Sequence, residues 1–525
     1  VAGALLVGAV GVLPAAATTT STAAPRGRPN ILFVLTDDMA YGDLDSMPHV
    51  HELVADDGAS FTNYFANVSL CCPSRVTMLR GQYAHNTGVQ TNGDAGANGG
   101  FAAALRLGLE QDTVATRLQA AGYRTGLFGK YLNHYPGDAG RAYVPPGWSR
   151  WASPVDGTPY GQYDYVLNEN GTNRAYGRDL ESYGTTVYTG FTEALIRDSA
   201  RDGQPFFAYV SLYAPHEPAT PAPEDIGRFA GATAPRTDSF DLDNAASMPA
   251  YVRELPRLAL ADVASIDALY ERRLESLQAV DRAVARLVAV LGKVGALRNT
   301  FIVFASDNGY HLGQHRLPAG KQTPYDTDTH VPFLVRGPGI APGTTVGSLS
   351  STVDLMPTFL AMAGVDVAQD VDGRSLLDAA RGPNRNRVQA PRAVLLEHWN
   401  DRPLPTPVAV RPAPIQTPLD VAGPSEPTDL DQRGGPVGAT LAVDALDPPG
   451  IVPEFSGLRT ARWLYVEYGT GEHELYDVRA DPDQIRNLAG SDARTERGLA
   501  ERLATLRGCR GLACRRADGG RRRGG

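Results

Sequence analysis

Lysine is almost missing from this chain: of 49 basic side chains, only Lys130, Lys293 and Lys321 are lysines. A sequence that otherwise writes arginine has a specific use for lysine where it keeps it, because lysine is a compact point charge and arginine a planar fork. A surplus of positive charge is missing too. The formal charge of −9 argues against a nucleic-acid binder, which needs a basic face, yet permits a local cationic pocket for a small anion. Cysteine is scarce, with four in 525 residues. Cys509 and Cys514, in GCRGLACR, suit a small disulfide loop in an oxidising compartment. Cys71 and Cys72 are adjacent, a spacing that rarely bridges, and their surroundings point to chemistry. Long apolar runs are also lacking. Val1–Ala17 is uncharged but shorter than the roughly 20 residues usual for a membrane span, and it ends in the small residues Ala15-Ala16-Ala17, which a signal peptidase accepts. Although a basic n-region and an initiator Met are not seen, residues 1–24 are read as signal peptide and linker. The expectation is a secreted protein with no stable membrane span.

What is present is an α/β pattern. Hydrophobic residues make up 42% of the chain, enough for a large core. Short apolar runs at Ile31–Leu35, Arg124–Phe128, Phe206–Leu212, Phe301–Ala305 and Val331–Val335 read as buried strands. Thr113–Ala121 and Asp354–Ala363 read as helices between them, so a mostly parallel sheet covered by helices is expected. The longest helix is placed from about Asp262 to Leu297. Its stripe of Leu269, Leu277, Val280, Val284, Leu287 and Leu291 is read as core packing. Residues 25–390 are taken as the catalytic domain and 391–456 as a Pro-rich insertion, unpatterned from Arg402 to Pro453. A small subdomain follows at 457–508, with antiparallel strands at Ala461–Tyr468 and His473–Val478 and a helix at Ala493–Arg507. The disulfide loop and a basic, unordered tail occupy 509–525.

Ligands of open α/β sheets bind beyond the carboxyl ends of the strands. The residues following the apolar runs are Asp37-Asp38, Lys130, His216 and Asp307-Asn308. Carboxylates, an amide, an imidazole and an ammonium on one rim are the makings of a metal and anion site. Asp37, Asp38, Asp307 and Asn308 offer only oxygen, which suits a hard cation, Ca2+ or Mg2+. As turn residues the same pairs would be unremarked, and their joint appearance carries the argument. At the centre lies Ser69-Leu70-Cys71-Cys72-Pro73-Ser74-Arg75, then Leu79-Arg80-Gly81. Pro73 suits a first helical turn, which would put Cys71 at a helix N-terminus where N–H groups favour anions. Taken alone, this allows a structural cysteine pair or a low-pKa thiolate nucleophile.

Cys-x-Pro-Ser-Arg with its downstream Leu-x-Gly resembles the signature of the sulfatase family. PNILFVLTDD, FGK, APH and SDNG occur here in the family's order, and the resemblance runs from about Pro29 to Leu488. It includes HVPFLVRGPG, STVDLMPTFLAMAG, VDGRSLL and ELYDVRADPDQIRNL, and the wording CCPSR, GKYLN and SDNGYHLGQ looks closest to the N-acetylglucosamine-6-sulfatase branch. The resemblance implies an alkaline-phosphatase-like sandwich with a smaller C-terminal antiparallel sheet. It also implies that Cys71 is oxidised to Cα-formylglycine by a formylglycine-generating enzyme. Ca2+, ahead of Mg2+, would be held by Asp37, Asp38, Asp307, Asn308 and residue 71. In the family's cycle the hydrated aldehyde attacks sulfur, and its second hydroxyl then expels sulfate. Lys130 and Lys321 would hold sulfate oxygens, Arg75 the aldehyde hydrate, and His216 would protonate the leaving oxygen. Where arylsulfatases place His two residues after the Lys, this chain has Tyr131-Leu132-Asn133-His134, which leaves Asn133, His134 and His311 as candidate substrate contacts. The substrate implied is a sulfate monoester, 6-O-sulfated N-acetylglucosamine or a related glycan. The alternatives are a formylglycine-dependent phosphonate monoester or phosphodiester hydrolase, and an unconverted glycan-binding homologue.

Overall fold

The computed structural model describes residues 27–93, 98–382, 392–400 and 452–519. The leader expected at 1–24, most of the insertion and the last arginines lie outside the described residues. The strands are β1 (Asn30–Thr36), β2 (Ala59–Phe61), β3 (Tyr64–Phe65), β4 (Arg124–Gly129), β5 (Arg150–Gly157) and β6 (Tyr165–Glu169). They continue as β7 (Thr172–Tyr176), β8 (Phe206–Ser211), β9 (Thr300–Ser306), β10 (Phe333–Arg336), β11 (Thr344–Val346) and β12 (Ser350–Ser351). A separate group comprises β13 (Val394–His398), β14 (Phe455–Arg459), β15 (Trp463–Tyr468) and β16 (His473–Asp477). The main sheet has ten strands in the order β11-β2-β10-β9-β1-β8-β4-β5-β6-β7. Its middle, β9-β1-β8-β4-β5, is parallel, while β10, β6 and β7 are antiparallel additions.

Alternation along β1 explains the layers. Ile31, Phe33 and Leu35 enter one core with Val76 and Leu79 of α1 (Cys71–Arg80), Leu118 of α2 (Val114–Ala120) and Phe359. Leu32 and Val34 enter the other with Ile196 of α3 (Gly184–Asp202) and Leu277, Val280, Val284, Leu287 and Leu291 of α4 (Leu260–Lys293). Phe359 belongs to α5 (Leu355–Met362). A strand covered on both faces must be apolar on both, as this one is from Ile31 to Leu35. The long helix stops at Lys293, short of the expected Leu297, because Gly295 takes φ +73° and a separate turn forms at Leu297–Asn299. β10 begins at Phe333 rather than Val331, since Pro332 has no N–H for the ladder and Val331 bonds instead to the Tyr64 carbonyl.

β13-β14-β15-β16 form the small antiparallel sheet. Its first strand falls inside the stretch read as insertion, which therefore begins later: Val394, Leu395 and Leu396 are all buried. The tail is also more ordered than expected. After α6 (Ala493–Arg507), the Cys509–Cys514 disulfide opens α7 (Leu512–Ala517), and the buried Asp518 takes Arg374 and Arg392 as ion partners. Among the described residues no helix is long and apolar enough to cross a membrane.

In the small sheet, fully buried Glu474 accepts hydrogen bonds from the phenols of Tyr325, Tyr476 and Tyr468 at 2.9, 2.6 and 2.6 Å. Burial pushes its carboxyl up to about 6, against the pull of the three donors. The folded chain therefore holds this proton more tightly than the unfolded one, and stability falls as pH climbs from 4.5 to about 6, then stays level. Glu474→Gln removes this dependence. Denaturant melts at about pH 4 and about pH 7 should show the variant gaining about 2 kcal/mol on the parent across the interval, and a constant difference would refute the assignment.

Candidate active site

The carboxyl ends of β1, β4, β8 and β9 and the N-terminus of α1 converge. Asp37 and Asp38 follow β1, Lys130 follows β4, His216 lies five residues past β8, and Asp307-Asn308 follow β9. Asp38 turns the chain with φ +65°, uncommon outside glycine, and its N–H is tied to Asp307 Oδ1 at 3.1 Å. Leu70 is extended as α1's N-cap and supplies no side-chain cap; the Cys72 N–H finds Asn92 Oδ1 at 2.8 Å. Cys71 thus stands where a helix offers N–H groups.

The charges interlock in a pocket where every participant is buried. Lys130 Nζ donates to Asp37 Oδ2 at 2.7 Å, and Lys321 Nζ donates to Asp38 Oδ1 and Oδ2 at 2.8 and 3.0 Å and to Cys71 Sγ at 2.9 Å. The Cys71 thiol faces Asp37 Oδ1 at 3.4 Å. Arg75 donates to Asp307 Oδ2 at 2.8 Å and Ser211 Oγ at 2.7 Å, while its Nη2 stands 3.6 Å from Asp37 Oδ1. His216 Nε2 is 3.5 Å from Asp38 Oδ2, and its Nδ1 is 2.7 Å from the Glu217 carbonyl. Three carboxylates are thus matched by three permanent cations.

Burial alone would raise Asp37, but Lys130, His216 and Arg75 outweigh it and hold the carboxyl below its usual range. Asp307 is pushed up by burial and by Asp37. Burial would lower Arg75 and Lys130, yet Asp307 and Asp37 keep the guanidinium, and Asp37 the ammonium, well above their ordinary values. The Cys71 thiol goes up, through burial and Asp37, against Lys130 and Lys321. Cys72 is pushed by burial to about 12. Neither is the low-pKa thiolate that one reading of the sequence allowed.

Ligand atoms of Asp37, Asp38, Cys71 and His216 lie within 4.8 Å of one another. Asn308 donates its amide to Asp38 Oδ1 at 2.7 Å while its own Oδ1 is buried with no hydrogen-bond partner. An orphaned acceptor beside a carboxylate pair fits a hard cation, which would satisfy it. Asp307 is engaged otherwise, by Arg75 and by the N–H groups of Asp38 and Asn308. Asn133 is buried behind the cysteines, its Oδ1 without a partner and its carbonyl holding the Phe101 N–H. His134, at φ +64°, has its ring beside Gly100. His311 is bound through Nδ1 to Asp328 at 3.0 Å and its ring borders Gly320, so it braces the turn before Lys321. His315 is bonded to the Gln484 carbonyl and stacked on Tyr325, a loop role.

Sequence reasoning missed Arg273. This fully buried arginine of α4 donates to the Asp38 carbonyl at 2.6 Å, to Asp43 at 2.9 Å and to the Pro215 carbonyl at 3.4 Å, gripping the turns that carry Asp38 and His216. The signal was present: Arg273 lies four residues from both Leu269 and Leu277, on the apolar stripe, where a charge must have buried partners. Tyr160 was missed as well. Its ring lies 4.8 Å from Lys130 Nζ and 4.5 Å from the His216 ring.

A largely parallel sheet whose strand ends bring carboxylates, cations and a helix-start cysteine into one buried cluster makes a pocket suited to a metal and an anion together. Comparison with known proteins gives the family: the family model Sulfatase matches residues 29–365. The chain belongs to the sulfatase family. It is 37% identical over 402 residues to the extracellular sulfatase SULF-1 homolog of Drosophila melanogaster, covering 75% of this chain and 35% of that protein. It thus spans about a third of that relative's length. It is 32% identical over 506 residues to the human N-acetylglucosamine-6-sulfatase, covering 94% of this chain and 87% of that protein. A solved structure described as a complex with its substrate D-glucosamine-2-N,6-O-disulfate superposes with a TM-score of 0.70 at 22% identity, covering 94% and 99% of the two chains.

Asp38→Asn removes one of the two clustered carboxylates. Titration calorimetry with Ca2+ and with Mg2+ should show binding weakened at least about tenfold. Unchanged affinity would place the cation elsewhere.

Proposed function

We propose that this chain is a secreted hydrolase of sulfate monoesters, acting on a 6-O-sulfated amino sugar of a glycosaminoglycan or mucin-like glycan. In this reading it works with Ca2+ and with residue 71 converted from cysteine to formylglycine by a formylglycine-generating enzyme. The observation that carries the reading is the setting of Cys71, at the start of a helix, 3.4 Å from Asp37 Oδ1 and 2.9 Å from Lys321 Nζ. The two added groups supply a hydrated aldehyde as nucleophile and a positive charge for the nonbridging oxygens. Asp37, Asp38, Asp307, Asn308 and residue 71 would hold the cation.

The remaining work falls to side chains. Sulfate esters are anionic, and negative charge moves onto the bridging oxygen as the S–O bond breaks. Lys130 and Lys321 are fixed ammonium groups that receive the nonbridging oxygens without reorganising. Arg75, anchored by Asp307 and Ser211, orients residue 71 and keeps water out of its flank. The Glu217 carbonyl only accepts, so His216 Nδ1 donates to it; when Nε2 carries a second proton, facing Asp38 Oδ2, it hands that proton to the leaving oxygen and the ring keeps its Nδ1–H bond. The sugar assignment is supported by the human N-acetylglucosamine-6-sulfatase, similar over nearly the whole chain, and by the disulfated glucosamine named for the superposed structure. Export is supported by the disulfide and by the extracellular relative.

Protein purified from its own host should carry an aldehyde at residue 71 by peptide mass spectrometry and turn over an aryl sulfate and 6-O-sulfated N-acetylglucosamine. Cys71→Ala should abolish turnover, and His216→Ala should lower kcat by about 10²–10⁴. Faster turnover of a phosphonate monoester or phosphodiester would reassign the reaction. An unmodified thiol without turnover would leave a glycan-binding protein.

A further inference from the structure

Lys321 sits in a long loop between His311 and Asp328, and the small C-terminal sheet, together with Gln484 in the segment after its last strand, grips that loop at three points. Tyr325 donates its phenol to Glu474 of β16, the carboxylate that also takes Tyr468 and Tyr476. Gln484 accepts the Asp326 N–H on Oε1 at 2.9 Å and the His315 ring on its carbonyl at 3.1 Å, and His315 stacks on Tyr325 with centroids 4.0 Å apart. Arg459 of β14 forks onto the Asp326 carboxylate at 3.2 and 3.0 Å.

Inside the loop the hold is passed on. Asp328 accepts the Thr323 N–H and hydroxyl at 2.9 and 2.7 Å, and the Thr323 carbonyl takes the hydroxyl of Ser69, two residues before Cys71. Thr323 and Tyr325, two and four residues past Lys321, are therefore both held. A carboxylate buried among phenols, with no cation among its hydrogen-bond partners in the described residues, is costly for stability alone. What it supplies is direction: three donors locked to one acceptor set the height of the Tyr325 ring. A like device stands behind the other lysine, where Glu110 accepts the phenols of Tyr131 and Tyr143 at 2.9 and 2.8 Å.

We propose that Glu474 and Tyr325 are positioning residues through which the C-terminal sheet sets Lys321 against residue 71 and Asp38. This accounts for the ELYD motif, whose Glu474 and Tyr476 lie in the cluster. It rests on the reading of Lys321 as a group that holds sulfate.

Tyr325→Phe in the full chain removes only the bridging hydroxyl. Tyr465→Phe is the control, because it removes a phenol bonded at 3.1 Å to Glu467 in the same sheet, within a different core cluster from Tyr325. Hydrogen exchange of the 311–328 amides, calorimetric binding of inorganic sulfate, and kcat and KM for an aryl sulfate are measured on both. Tyr325→Phe should speed exchange in the loop, weaken sulfate binding about tenfold and raise KM more than it lowers kcat, while the control matches the parent. Gln484→Ala, which cuts a second grip, should do the same if Tyr325→Phe fails to fold. Exchange and sulfate binding equal to the control would overturn the proposal, as would faster exchange with unchanged sulfate binding. Should the parent turn over no sulfate ester, exchange and sulfate binding still decide this claim separately from the reaction assignment.

Discussion

Everything in this molecule depends on holding the carboxyl groups of Asp37, Asp38 and Asp307 close together in a buried pocket. Like charges at such range repel strongly in a low-dielectric interior. The chain answers with Lys130 on Asp37, Lys321 on Asp38 and Arg75 on Asp307, one cation to each carboxylate. The pairing is cross-linked, since Arg75 also approaches Asp37 and Lys321 also reaches Cys71. A cation and an anionic ester added together would change the net charge of such a pocket only modestly, so the pocket suits the pair better than either alone.

The sheet makes this arrangement possible. Parallel strands present all their carboxyl ends on one edge, so β1, β4, β8 and β9 contribute without any long reach. Registers such as Leu35 against Ser211 and Thr36 against Ser306 fix where each strand stops. Arg273 then ties the turns after β1 and β8 from behind, using the helix whose apolar stripe packs on the sheet. The carboxylates consequently sit on rigid elements. Lys321, by contrast, sits in a loop with little regular structure and must be held by other means.

The strands were legible because covered parallel strands must be apolar along their length, and the polar residues after them were legible because they recur together at several strand ends. Three features resisted. Pro332 shifted the start of β10, Gly295 cut the long helix short, and the strand Val394–His398, with only three apolar residues in a row, was overlooked beside a Pro-rich stretch. Its partner strand lies some sixty residues on, so no local pattern announces the pairing. Arg273 was hidden by the habit of reading a stripe for its apolar members alone. The roles of Glu474 and Gln484 could not be read at all, since both depend on contacts spanning more than a hundred positions.

Cys71 is wholly enclosed, and its neighbours come from both directions along the chain: Asp37 lies 34 positions earlier, Lys321 250 later. On a ribosome the thiol emerges long before the segment that seals it in. Any catalyst that must reach this sulfur works against a clock set by translation, and once the closing segments arrive the opportunity ends. A slower ribosome would widen that interval, and a faster-folding amino-terminal half would narrow it.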